Sequence, residues 1–304
     1  MQERIPFSGN PLDRASNLRR DEAWLEAQLG TAECRYLAFW RLNPLAREGE
    51  ASELLWLDAG VRDRLPFDAE PPLLLGLRDG VAHYAVDLSG LADPLAALGV
   101  EGADFCDARR IAVSLPEGEA GILAQARAMF EWHVRHRFCG TCGAETAAGW
   151  GGTVRRCTRC GAEHFPAPHP VVIMVVWRGD RCLLGRGKGW AEARYSALAG
   201  FMDQGETIEE AVAREVKEEV GLTVDEVTYH ASQPWPFPMS LMIGCFARVT
   251  DEDFEADPEE LAEARWFTRE EIVRAYAAPD TVDFGIPGRI AIAYHLIKAW
   301  SERG

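Results

Sequence analysis

The sequence predicts an α+β protein in three parts: a mostly β N-terminal domain over residues 1–130, a metal-binding ribbon over 131–165 and a C-terminal α/β domain over 166–304. Three observations predict this. Short apolar runs separated by turn signals fill the first part. Two Cys-x2-Cys pairs lie in the second. In the third, a strand–turn–strand pattern leads into an amphipathic helix bounded by a capping box and a glycine.

In chain order, Tyr36-Leu37-Ala38-Phe39-Trp40 and Pro72-Leu73-Leu74-Leu75-Gly76-Leu77 read as strands, with Asp79-Gly80 as a tight turn before His83-Tyr84-Ala85-Val86. A few helices complete this part, and nothing in it assembles into a recognisable catalytic group. Pro116 stands where helices begin, and Ile122, Ala126, Met129, Phe130 and His133 have helical spacing over Glu117–Arg137. Beyond the cysteines, Phe165-Pro166-Ala167-Pro168-His169-Pro170 is a proline-rich hinge that cannot be helix. Val171–Trp177 reads as a buried strand, Arg178-Gly179-Asp180 as a turn and Cys182-Leu183-Leu184 as the returning strand. Strands and two helices fill the remainder.

Composition removes several classes of function. The 304 residues are 47% hydrophobic and 26% charged, ordinary for a globular protein with a core. Acidic residues outnumber Lys plus Arg by 48 to 32, a formal charge of -16, which repels phosphate backbones at long range. The longest relevant apolar run, Val171–Trp177, is far short of the roughly 20 residues a spanning helix needs. Met1–Phe7 shows no apolar signal core, so a cytoplasmic protein with no membrane partner is the expectation.

Cys139 and Cys142 are separated from Cys157 and Cys160 by 14 residues. Paired knuckles of this kind supply four thiolates to one tetrahedral zinc, and Gly140, Gly143 and Gly161 suit the tight turns. Four ligands leave no vacancy, so the zinc is structural. Cys34, Cys106, Cys182 and Cys245 sit alone among apolar neighbours and read as core.

The most informative stretch runs from Gly200 to Leu222. Thr207 and Glu210 form a capping box, Gly221 stands at the C-terminal stop, and Ile208, Ala211, Val212 and Val216 supply an apolar stripe. Glu215, Glu218 and Glu219 project from one face at i, i+3 and i+4. Like charges so placed destabilise an isolated helix unless a cation lies between them, and Mg2+ or Mn2+ takes oxygen ligands.

Gly200, Glu206, Arg214, Glu215, Val216, Glu218, Glu219, Gly221 and Leu222 match every position of the Nudix box. Ser232-Gln233-Pro234-Trp235-Pro236-Phe237-Pro238-Met239-Ser240, expected to be a rigid loop with too many prolines for regular structure, resembles the signature of the NADH pyrophosphatases, also known as NAD-capped RNA hydrolases. Those relatives likewise place a zinc ribbon before the Nudix domain. The likeness is good over residues 120–300 and looser before, where Phe7-Ser8-Gly9-Asn10-Pro11-Leu12-Asp13 resembles the opening of some bacterial members.

The resemblance implies an α/β/α sandwich and hydrolysis of NADH or NAD+ to nicotinamide mononucleotide and AMP, with removal of NAD caps from RNA as a related activity. It implies catalytic metal on Glu215 and Glu219, with Glu218 close by, and a backbone ligand at Ala199. A downstream carboxylate completes the set, with Glu260 favoured over Glu263. Substrate contacts fall at Phe165, Phe201, Gln233, Pro234, Trp235, Pro236, Phe237, Pro238, Met239, Ser240 and Ala293, and relatives are homodimers. The chain departs from the family at Phe165 and Ala167, where Tyr and Arg are common, at His169 and at Asp203. Another dinucleotide, such as ADP-ribose or a diadenosine polyphosphate, is the alternative substrate. A nucleic-acid-binding ribbon with an inactive Nudix domain, using Arg135, Arg137, Arg155, Arg156 and Arg159, is the alternative of another class.

Overall fold

A computed structural model describes residues 4–63 and 71–303. The readings of Met1–Glu3 and of Gly304 lie outside the described residues. Two compact units emerge, one of residues 7–168 and 235–239, the other of residues 4–6, 169–234 and 240–303. The mixed α+β content expected from the sequence is present. No helix among the described residues is long and apolar enough to cross a membrane.

The first unit is built on a seven-stranded sheet. Arg35–Trp40 pairs in parallel with Val81–Asp87, which forms a hairpin with Leu73–Arg78. The hairpin turns at Asp79 and Gly80, both at positive φ, as an Asp-Gly tight turn requires. The predicted helix spans Glu119–Arg135 and buries Ile122, Ala126, Phe130, Trp132 and His133. A three-stranded antiparallel sheet of Thr146–Gly149, Val154–Cys157 and Glu163–His164 forms the ribbon. Cys34, Cys106, Cys182 and Cys245 are all buried.

The second unit is a three-layer sandwich. Its six-stranded sheet runs Val224–Trp235, Ser240–Val249, His169–Arg178, Arg181–Gly187 and Leu261–Thr268, with Leu198–Phe201 also paired to the central strand. The central strand is apolar on both sides because it feeds two cores. Val172, Met174 and Val176 join Ala211, Val212, Val216 and Val220 of the helix Ile208–Val220. Ile173 and Val175 join Ile272, Ile292, Leu296 and Trp300 of the helices Arg269–Ala277 and Ile292–Ser301 on the other side.

One expectation is corrected. Regular structure does not stop before the proline-aromatic signature, since the strand Val224–Trp235 runs through Ser232, Gln233 and Pro234. This strand lies at the sheet edge, where a proline's missing N–H costs no ladder bond. Only Pro236–Met239 forms the turn.

Candidate metal and active site

The helix Ile208–Val220 begins as its sequence dictates. The Thr207 hydroxyl accepts from the Glu210 N–H at 3.2 Å, and the Glu210 carboxylate accepts from the Thr207 N–H at 2.8 Å. It ends at Gly221, with φ 73°. The apolar stripe Ala211, Val212, Val216 and Val220 sets the rotation of the helix, which turns Glu215 and Glu219 inward, both buried, and leaves Glu218 exposed.

Arg214 organises the outer side. Its guanidinium donates twice to Glu206, at 2.6 and 2.9 Å, and also to Glu215 at 2.7 Å, Glu218 at 2.9 Å and the Phe201 carbonyl at 2.9 Å. This clamp holds the Glu206 carboxyl down to about 2, through the Arg214 bonds first and the Asp203 amide second.

Oxygens of the buried Glu215 and Glu219 and of the exposed Glu260 lie within 4.8 Å of one another. Glu218 is not in this group, and Glu263 instead pairs with Arg186 at 3.4 Å. One oxygen of Glu219 is buried without a hydrogen-bond partner. Burial, then the charges of Glu215 and Glu260, push the Glu219 carboxyl up to about 8, against the pull of the Ala199 amide. Burial also raises Glu215. Three converging carboxylates, one with an orphaned oxygen, fit a hard divalent cation with oxygen ligands.

Gly200 makes room for this arrangement. A Cβ there would lie 1.9 Å from the Glu215 carboxyl carbon. Gly200→Ala therefore displaces Glu215, and a shift of about 1 Å costs on the order of a hundredfold in turnover. Activity of this variant within tenfold of wild type would refute the displacement.

A cation must displace the proton that Glu219 keeps below pH 8. Mn2+ affinity is therefore expected to fall as pH drops below about 8, by about tenfold per unit. The thermal upshift from a fixed Mn2+ concentration should be larger at pH 8 than at pH 6. Equal upshifts would contradict the buried, protonated carboxyl.

The ribbon brings its four cysteines together, with sulfur atoms within 4.8 Å of one another. Both knuckles repeat one pattern. Gly143 N–H donates to the Cys139 carbonyl at 2.8 Å and Gly161 N–H to that of Cys157 at 3.2 Å, each glycine at positive φ. Burial raises the Cys139 thiol, but the Thr141 amide and His164 bring it down to about 5. The Ala162 amide lowers Cys160, yet Cys157, Cys142 and Cys139 together push it up to about 11. Four sulfurs cannot all ionise here without a cation, and Zn2+ with thiolate ligands fits.

The remaining expected contacts fall in both units. In the second unit Phe201 is 61% exposed beside His169, while Ala293 is buried in the core. Gln233 is fully buried. It donates to the carbonyls of Pro6 at 3.0 Å and Ile290 at 2.8 Å, and accepts the Ile292 N–H at 2.8 Å. It thus caps the helix Ile292–Ser301, whose own N-cap, Ala291, has no side-chain acceptor. Pro234 is exposed and Ser240 half-buried.

In the first unit Phe165 is 54% exposed, and Pro236 and Met239 are buried. Trp235 and Phe237 pack edge-on against each other and against Phe7. Arg109 and Arg127 lie 3.8 and 4.4 Å from the Phe237 ring, and Arg127 donates to the Pro236 carbonyl. Neither arginine is legible from the signature, since each lies more than a hundred positions from it.

Comparison with known proteins follows the same three-part order. Residues 33–132 match the NADH pyrophosphatase-like rudimentary NUDIX domain, 135–165 the NADH pyrophosphatase zinc ribbon domain and 167–284 the NUDIX domain. The chain is 36% identical to the human NAD-capped RNA hydrolase NUDT12, over 97% of its own length and 72% of the relative's. It is 38% identical to the NAD-capped RNA hydrolase NudC of Mycobacterium bovis, over 95% of its length and 92% of that protein's. To the human mitochondrial NAD(P)H pyrophosphatase NUDT13 it is 39% identical, over 66% of its length and 60% of the relative's.

Proposed function

The chain belongs to the NADH pyrophosphatase family of Nudix hydrolases, and from that membership we propose that it hydrolyses the pyrophosphate of NADH or NAD+ to nicotinamide mononucleotide and AMP and removes NAD caps from RNA 5′ ends. Structural zinc and a catalytic Mg2+ or Mn2+ go with this activity. The observation that carries the reading is the cluster of Glu215, Glu219 and Glu260 around an unpartnered buried oxygen.

In this reading those three carboxylates, with the Ala199 carbonyl, hold the catalytic cation, and Cys139, Cys142, Cys157 and Cys160 hold zinc. The cation, when bound, supplies charge screening and Lewis acidity at a doubly anionic pyrophosphate. Glu218 stands beside the cluster, held by Arg214. Water adds to one phosphorus, the bridging P–O bond breaks, and each phosphate leaves on its own mononucleotide. Phosphoryl transfer of this kind rests on positioning and charge stabilisation, which fits a site of carboxylates without a protein nucleophile. A complete carboxylate set, with Gly200 shaped around Glu215, weighs against an inactive Nudix domain.

NADH incubated with the purified protein and Mn2+ or Mg2+ is expected to give equimolar AMP and reduced nicotinamide mononucleotide by chromatography. Preferential cleavage of ADP-ribose or a diadenosine polyphosphate would overturn the substrate assignment. The family resemblance also supports a cytoplasmic homodimer, for which light scattering at twice the 33.7 kDa chain mass is the test.

A further inference from the structure

Trp150 carries an observation that the reaction does not use. Its backbone φ is 51°, followed by Gly151 at 61° and Gly152 at 94°, a left-handed run that a bulky residue rarely adopts. Its surroundings enforce the turn. A Cβ on Gly152 would lie 2.4 Å from Leu73, and one on Gly151 3.0 Å from Leu74. The Arg19 guanidinium donates to the Gly151 carbonyl at 3.4 Å. The result is a large ring presented half-buried at the surface of the ribbon, rather than sunk in a core.

Around this ring stand three groups suited to one kind of ligand. The Phe165 ring, 54% exposed, lies 5.9 Å away at 40°. The guanidiniums of Arg20 and Arg156 lie over the Trp150 ring, 4.7 and 5.0 Å from its centroid. Arg20 is exposed and has no acidic partner among the described residues, and Arg156 is steered by Glu163 at 2.8 Å. Aromatic rings with guanidiniums stacked over them fit unpaired nucleotides, whose bases stack on rings and on guanidinium planes and whose phosphates pair with guanidinium. A chain of net charge -16 offers phosphate no general attraction, so such a surface acts locally.

We propose that Trp150 and Phe165, with Arg20 and Arg156, form a platform that binds unpaired nucleotides of an NAD-capped RNA. This rests on the activity proposed above. Free NADH has no such nucleotides, so the platform separates the two substrates.

The test compares kcat/KM of the full-length zinc-loaded protein, with Mn2+, on NADH and on an unstructured NAD-capped ten-nucleotide RNA. Trp150→Ala, and independently Arg20→Ala and Arg156→Ala, are expected to lower kcat/KM for the capped RNA, through KM, by about tenfold for the tryptophan. NADH turnover stays unchanged. Trp150→Phe restores most of the loss, and each arginine variant flattens the salt dependence of RNA binding by about 0.7 in the log–log slope. Should Trp150→Ala fail to fold, the surface arginine variants decide. Parallel losses on both substrates, or no selective loss on RNA, would overturn the platform and leave the pyrophosphatase activity standing. A wild-type protein that cleaves NADH but not the capped RNA would do the same. Cleavage of neither substrate would overturn the proposed activity and the platform with it.

Discussion

Glu219→Gln should reduce kcat for NADH by roughly three orders of magnitude while the protein stays folded. A cation acting on a phosphoryl oxygen supplies several kcal/mol of transition-state stabilisation, and each 1.36 kcal/mol is a factor of ten. Glu219 has the deepest of the clustered carboxylates and the orphaned oxygen, so its loss should cost most of that. Stability without added divalent metal is expected to move the other way. The Glu219 carboxyl is raised to about 8 by burial, so its charge disfavours the folded state. That penalty grows as pH rises from the unfolded carboxyl range, near 4.3, and is complete above about 8. Glutamine carries no such penalty. Metal-free melting curves should therefore coincide near pH 4 and favour the variant at pH 8, while Mn2+ reverses the order. Near-normal turnover by the variant would remove Glu219 from the metal site.

Loss of the zinc should have the largest effect on stability. Apparent binding of structural zinc by four-ligand modules is on the order of 10 kcal/mol, comparable with the whole stability of a domain. The ribbon has little else to hold it, since its three strands are of four, four and two residues. Wild-type protein is expected to contain one zinc per chain by elemental analysis. Cys157→Ser, at a buried ligand position, should contain none and lose the highest-temperature phase of its thermal transition. The carboxylate cluster is built from other elements, so Mn2+ binding to any folded second unit should survive. A Cys157→Ser protein with unchanged melting would show that the ribbon stands without metal.

Much of this architecture is legible in the sequence because its determinants are local. The box helix announces both ends through Thr207, Glu210 and Gly221, and its rotation follows from the apolar stripe. The knuckles are likewise written in spacing and glycine. What was illegible depends on distant partners. Pro234 looked incompatible with a strand because nothing in the sequence says that this strand lies at an edge. Gln233 reads as a ligand contact in its motif, yet its three bonds close onto Pro6, Ile290 and Ile292, up to 227 positions away. Helical spacing placed Glu215, Glu218 and Glu219 on one face. Only the packing shows that two turn inward and the third meets Arg214. The choice of Glu260 over Glu263 has the same character, since strand pairing with Arg186 sends Glu263 elsewhere.

The Arg214 clamp has an effect on ion selectivity. One guanidinium is shared among Glu206, Glu215 and Glu218, so the box keeps a surplus of negative charge, part of it on the buried Glu215 and Glu219. Salt in bulk solvent screens the outer carboxylates readily and the inner ones poorly. A divalent ion cancels more of that buried charge than a monovalent one, so potassium at cellular strength is expected to compete weakly for a divalent ion held there.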